Sequence, residues 1–304
     1  MLLVILFLYG VIFGSFINAL VWRLYKQAES TGVKSKSQAA KKATSQAKSK
    51  HLVRGEKHKV LRKTRGSAVN YSIFKGRSVC PSCEHQLAAK DLVPVLSWLL
   101  LRGKCQYCRK PISAQYPLVE LLTGVLFALC YLSWQFPLDG LHLVWFCYSL
   151  GYIVFFVALA VYDAKWFLLP NKLVFPLVGV AASEVLVSGV WQHSWAAVWQ
   201  PLLGAGLLYG LFWGLFQVSR GTWIGGGDVK LALALGLIAG SPLYAMLVLF
   251  IASLLGTLVS VPQLITARKG LRQHIPFGPY LLAACFIVML YGENIVSWYT
   301  ELFL

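Results

Sequence analysis

Eight long apolar runs limit what this chain can fold into more than any other feature. They cover approximately residues 1–22, 116–134, 141–162, 173–190, 199–218, 229–240, 243–261 and 279–298, the sixth being short. Runs of this length can cross a bilayer, and a backbone in hydrocarbon must satisfy its hydrogen bonds internally, which selects helices. Hydrophobic residues make up 58% of the chain and charged residues only 13%, which excludes an ordinary globular enzyme. The expected fold is therefore an all-α polytopic membrane protein of about eight transmembrane helices. The first run is read as a retained span, because no basic residue precedes its apolar core and no small-x-small cleavage site follows it. Gly240-Ser241-Pro242 admits two readings, a turn between two helices or a kink within one.

Charge placement discriminates between these. With the N-terminus outside, the inward segments are roughly 23–115, 163–172, 219–230 and 262–277, holding 21, 2, 2 and 3 Lys and Arg, the whole complement of 28. The outward loops near 136–140, 191–195 and 291–304 hold none. This is the positive-inside pattern, and it favours eight spans over seven. The expected organisation is a first transmembrane helix at 1–22, a basic cytoplasmic domain at 23–115, and a membrane-embedded domain at 116–304.

The cytoplasmic segment carries the full net charge of +17, with 21 basic residues against Glu29, Glu56, Glu84 and Asp91. From Lys26 to about Arg65 it is rich in Lys, Ser, Ala, Gln and Thr, and is expected to be mobile or only partly helical. A polybasic stretch beside a span is attracted to anionic lipid. Nucleic-acid binding is not expected, since interleaved aromatics and a recognisable nucleic-acid fold are lacking.

Further along, Cys80-Pro81-Ser82-Cys83 and Cys105-Gln106-Tyr107-Cys108 form two C-x-x-C pairs with 21 residues between them. Two such knuckles can close a tetrahedral four-thiolate zinc site, structural because no position remains for substrate. A redox pair is the competing reading, and a reducing cytoplasmic location argues against structural disulfides. Cys130, Cys147 and Cys285 lie in apolar spans and read as small packing residues.

Two acids stand at the ends of apolar runs: Asp163 in Tyr162-Asp163-Ala164-Lys165 and Asp228 in Gly225-Gly226-Gly227-Asp228-Val229-Lys230. Either alone would read as a helix end at the headgroups. Together, on one side of the membrane, they suggest an aspartyl protease, because two carboxylates sharing a proton can deprotonate water and protonate a carbonyl oxygen or amine. Gly225 and Gly227 are expected to allow close backbone approach to a substrate and to leave Asp228 on a flexible turn, or else to serve a loop that needs positive φ. Pro170 and Asn171 would re-enter the next helix. Lys165, Lys172 and Lys230 read as membrane anchors, with phosphate contact as the alternative. None of the six histidines has H-E-x-x-H spacing or lies by a serine elbow.

The ordered series Phe13-Gly14-Ser15-Phe16-Ile17-Asn18, Cys80-Pro81-Ser82-Cys83, Ile112 to Leu121, Asp163 with Pro170-Asn171, Gly225-Gly226-Gly227-Asp228 and Ile275-Pro276-Phe277-Gly278-Pro279 resembles the bacterial type IV prepilin peptidases. The resemblance covers most of the chain. It implies an inner-membrane enzyme that cuts the leader from prepilins or pseudopilins at the cytoplasmic face with Asp163 and Asp228. It also implies N-methylation of the new amino terminus from S-adenosylmethionine, carried by the Phe13–Asn18 region, the zinc domain and Glu120. Glu120 could bind a substrate amine or the methyl donor, or pair with a neighbouring basic residue. Gly14, Ser15, Gly204, Ala205, Gly206 and Gly210 are expected to permit close helix contacts with one another or with substrate. The alternative from a different class is a non-catalytic zinc-ribbon scaffold or transporter of a secretion system.

Overall fold

The protein is described by a computed structural model covering residues 1–47, 78–80, 82–83, 85–266 and 276–303. Its helices are α1 (Leu2–Ala47), α2 (Leu96–Leu100), α3 (Gln115–Leu132), α4 (Gly140–Trp166), α5 (Asn171–Gln192), α6 (Ala196–Ser219), α7 (Gly226–Ala239), α8 (Pro242–Thr266) and α9 (Gly278–Phe303). Among the described residues strand pairing is confined to two isolated bridges. The basic stretch expected to be mobile or only partly helical continues α1 as helix to Ala47, and the remainder of it lies outside the described residues.

Seven of these helices contain a stretch long and apolar enough to cross a membrane. The sixth expected span is the exception. It forms a helix of 14 residues, about 21 Å long, against a hydrocarbon core of about 30 Å. The turn reading of Gly240-Ser241-Pro242 holds: Gly240 has φ of 77°, ends α7 in the left-handed conformation, and lets α8 begin at Pro242. At the far end of the chain, α9 continues to Phe303, so the segment read as an outward loop is helical.

The chain divides into two compact units, one of Met1–Ile17 with Pro117–Leu304 and one of Asn18–Tyr116. In the first, α7 packs against α5, α6, α8 and α9, while α4 packs on α5 and α9. A short helix with so many neighbours needs small side chains, and α7 supplies Ala232, Ala234 and Gly236, all buried. A Cβ on Gly236 would lie 2.4 Å from the Cα of Ala205 and 2.7 Å from the carbonyl oxygen of Gly204. Such backbone proximity suits association in lipid, where packing rather than water exclusion holds helices together. The same device joins α1 to α3: a Cβ on Gly10 would meet the Cα of Gly124 at 2.7 Å, and one on Gly14 the Cα of Glu120 at 2.5 Å. At Gly206 and Gly210 an added Cβ meets nothing within 4 Å among the described residues, so neither makes a close contact within the bundle.

In the second unit, the bridges Val79↔Gln86 and Lys104↔Pro111 each close a hairpin around one C-x-x-C pair. Between them Trp98 packs beside Gly103 and donates its indole N–H to the Ile112 carbonyl at 3.1 Å.

Replacing Gly236 by Leu should separate α6 from α7, destabilising the detergent-purified protein by about 1–3 kcal/mol. Gly210→Leu should leave the melting temperature nearly unchanged. Equal effects in thermal unfolding would show that the crossing at Gly236 does not govern the bundle.

Candidate active site and metal centre

Asp163 stands in the last turn of α4 and Asp228 in the first turn of α7. The chain turns sharply after each helix end that matters here. Phe167 takes the left-handed conformation and donates its N–H to the Asp163 carbonyl at 2.8 Å, ending α4. Pro170 then caps α5 with extended backbone, its carbonyl accepting the N–H of Leu173 at 2.9 Å and of Val174 at 3.1 Å. Asp163 is buried, Asp228 is half-buried, and the charge of Asp228 is near enough to act on Asp163.

Each carboxylate accepts a hydrogen bond from a glycine N–H at the start of a helix. Asp228 takes that of Gly225, the N-cap of its own helix, in the manner of the acidic half of a capping box. Asp163 takes that of Gly278, the first residue of α9. Helix N-termini carry partial positive charge and favour anions there. A Cβ on Gly278 would lie 2.5 Å from Asp163 Oδ2, so glycine is what permits this contact. Gly278 lies in the Ile275–Pro279 motif, which by itself assigns the glycine no role. Only its proline and aromatic neighbours hinted that it opens a helix, and nothing in the sequence indicated its partner.

The glycines before Asp228 meet neither the flexible-turn nor the positive-φ expectation. None of Gly225, Gly226 and Gly227 has positive φ, and Asp228 rides on a regular helix rather than a flexible turn. Close packing bears on two of them: a Cβ on Gly227 would meet that of Leu169 at 2.9 Å, and one on Gly225 would lie 3.3 Å from Asp228 Oδ2. Asn171, the first residue of α5, accepts a hydrogen bond from Lys230 Nζ at 3.0 Å, and that ammonium lies 5.6 Å from the Phe175 ring centre. Lys230 therefore links the starts of α5 and α7. Lys165 sits 5.1 Å from the ring centre of Trp166. Glu120 is buried on α3 where Gly14 packs against its backbone.

In the Asn18–Tyr116 unit, one ligand atom from each of Cys80, Cys83, Cys105 and Cys108 lies within 4.8 Å of all the others. Tetrahedral zinc with bonds of about 2.3 Å places sulfurs about 3.8 Å apart, so the four thiols fit a zinc ion and could hold one. The two knuckles are built alike. Cys80 N–H donates to the His85 carbonyl and Cys105 N–H to the Lys110 carbonyl, each at 2.9 Å. Burial pushes the Cys80 thiol up to about 12. Burial acts upward on Cys105 too, but is outweighed by the backbone N–H groups of Cys108 and Tyr107, which help to hold it at about 7.

Comparison with known proteins gives the same direction. Residues 8–134 match the bacterial peptidase A24 N-terminal domain, and residues 150–261 match the type IV leader peptidase family. The chain is similar to a prepilin leader peptidase/N-methyltransferase of Aeromonas hydrophila, 34% identical over 77% of this chain and 78% of the relative. It is similar to proteins of the same name from Bacillus subtilis (strain 168), 33% identical over 77% of this chain and 89% of the relative, and from Neisseria gonorrhoeae, 29% identical over 95% and 92%. No solved structure gives a significant match. With seven helices among the described residues long and apolar enough to cross a membrane, two family domains in order and relatives matched over most of their length, the chain belongs to the bacterial type IV leader peptidase family of multi-pass membrane enzymes.

Proposed function

We propose that this protein removes the leader of type IV prepilins or pseudopilins by aspartate-catalysed hydrolysis and then methylates the exposed amino terminus. The observation that best supports the peptidase assignment is the pairing of Asp163 at the end of α4 with Asp228 at the start of α7, each held by a glycine N–H and the charge of Asp228 acting on Asp163. One carboxylate takes a proton from water as its oxygen attacks the scissile carbonyl carbon. The other, protonated, hydrogen-bonds the carbonyl oxygen. Protonation of the nitrogen then lets the C–N bond break, leaving a leader carboxylate and a free amine. Their titrations are those of a pair, so the shared proton belongs to the dyad. Pro170, Asn171, Gly225 and Gly227 position the two acids.

The distribution of basic segments supports a dyad at the cytoplasmic face of the inner membrane, with the N-terminus outside. The polybasic portion of 23–115 would contact anionic lipid. Zinc, held by Cys80, Cys83, Cys105 and Cys108, would cross-link the two knuckles, with no step of hydrolysis passing through it. S-adenosylmethionine would supply the methyl group. Glu120, an acid buried on an apolar helix, is the type of group that holds a cationic amine, of donor or of substrate, away from water.

Asp163→Asn and Asp228→Asn should each lower prepilin cleavage by about 10²-fold or more while the protein stays folded and inserted. Mass spectrometry of the substrate separates leader loss from methyl gain. Given an already cleaved pilin, the Asp163→Asn protein should still methylate it. Appreciable cleavage by either variant would remove the dyad assignment.

Gly278→Val should displace the Asp163 carboxylate, and a shift of about 1 Å can cost roughly 10²-fold in rate. The loss should fall on kcat, with KM for prepilin little changed. A variant of normal kcat would show that the Gly278 contact does not position the acid.

Freshly prepared, reduced protein should contain one zinc per chain by metal analysis. Cys→Ser at any of the four positions should lower that content and make the segment around the knuckles more sensitive to protease. Zinc-free protein with intact thiols would overturn this site.

A further inference from the structure

The Asn18–Tyr116 unit exposes an apolar ridge. On α2, Leu96, Leu99 and Leu100 recur at the helical spacing of three and four and share one face, with 58%, 56% and 83% of their surfaces exposed. Leu92 and Val93, just before the helix, are exposed too. Trp98 is turned inward instead: it packs beside Gly103 and donates to the Ile112 carbonyl at 3.1 Å, while the Ile112 N–H donates to the Gly103 carbonyl at 2.7 Å. A single exposed leucine is ordinary. Five large apolar side chains within residues 92–100 form a patch, and such patches mark contact with a protein or a membrane.

The place of the ridge in the chain selects lipid. The span Gln115–Leu132 has 18 residues, about 27 Å as a helix, against a hydrocarbon core of about 30 Å, so its first residue cannot stand far outside the membrane. Ile112 precedes Gln115 by three residues, a reach of roughly 10 Å even for extended chain. The bond from Trp98 to Ile112 therefore pins α2 close to the membrane edge. Charge agrees with this. Arg102, Lys104, Arg109 and Lys110 are all exposed, and Asp91, the one acid in residues 91–115, accepts the Tyr107 hydroxyl at 3.0 Å. An aliphatic face beside clustered cations suits the interface of an anionic leaflet, with leucines at the acyl boundary and cations among the phosphates. A second copy of this surface would instead bring like charges together. We propose that α2 is an interfacial anchor, its Leu96, Leu99 and Leu100 entering the leaflet and the four basic residues after it holding anionic headgroups. The inference rests on α3 crossing the membrane and is independent of the chemistry proposed for the aspartates.

The test uses full-length protein carrying Leu100→p-benzoylphenylalanine, set in nanodiscs of phosphatidylcholine with or without phosphatidylglycerol and irradiated, with the labelled peptide identified by mass spectrometry. A phospholipid adduct should form on that peptide, at least about threefold more with phosphatidylglycerol present, and high salt should remove the excess. Arg102→Gln with Lys104→Gln should remove the same excess while melting as wild type does in detergent. Leu96→Ser with Leu99→Ser, which alters only exposed side chains, should also melt as wild type does in detergent. In anionic nanodiscs it should nonetheless be cut by trypsin after Arg102 at least about threefold faster than wild type. The proposal is overturned if the probe labels no lipid, if phosphatidylglycerol makes no difference, or if the probe joins two copies of the chain. It is also overturned if prepilin added to the nanodiscs takes the label in place of lipid, which would make the ridge a surface for substrate. Prepilin cleavage is read separately, so failure of the anchor and failure of the peptidase assignment are distinguishable.

Discussion

An acid in an apolar helical bundle must be accommodated locally, and this structure accommodates two of them with backbone. Asp228 closes on the N–H of Gly225 at the start of its own helix, while Asp163 reaches the N–H of Gly278 at the start of another. Most other features near the dyad serve those contacts. The left-handed Phe167 and the cap at Pro170 reverse the chain directly after Asp163. The absent side chains at Gly227 and Gly278 let Leu169 and Asp163 approach. The small residues of α7 admit it among four neighbouring helices. Glycine is required here by crowding rather than by backbone angle, a distinction that a sequence motif alone does not carry.

Hydropathy and charge made the number, order and approximate limits of the helices legible, because a crossing of hydrocarbon demands a long uninterrupted apolar run. The turn at Gly240 was legible for a local reason, glycine followed by Ser241 and Pro242. The four cysteines could be grouped from spacing alone, since each knuckle is a local hairpin. Contacts between distant residues were not legible. Asp163 and Gly278 lie far apart in the chain, and so do Lys230 and Asn171; no local pattern encodes either meeting. The continuation of α1 to Ala47 was obscured for the opposite reason, because a Lys- and Ser-rich composition suits both a solvated helix and a mobile segment.

The membrane unit also distributes polarity unevenly along its helices. One end of α4 carries the acid proposed for catalysis, and nearer its other end lie Trp145 and Tyr148, bonded to serines of α5. Interhelical hydrogen bonds of this kind in lipid contribute about 0.6 kcal/mol each on average. Their value is in fixing the rotation of α5 about its axis. Asn171 opens that same helix and bonds Lys230, so α5 is tied at both ends, to α4 at one and to α7 at the other.

The shortness of α7 has a consequence for water. A helix of 14 residues is shorter than a hydrocarbon layer of about 30 Å, and α7 is buried among four neighbouring helices, so the shortfall falls inside the protein rather than on the lipid. Hydrolysis consumes a water molecule for each bond cut, and lipid is a poor source of it. A helix that begins short of the hydrocarbon edge, with a carboxylate in its first turn, would leave water a route to that carboxylate through protein. The supply of one reactant would then depend on the side chains that surround the helix start.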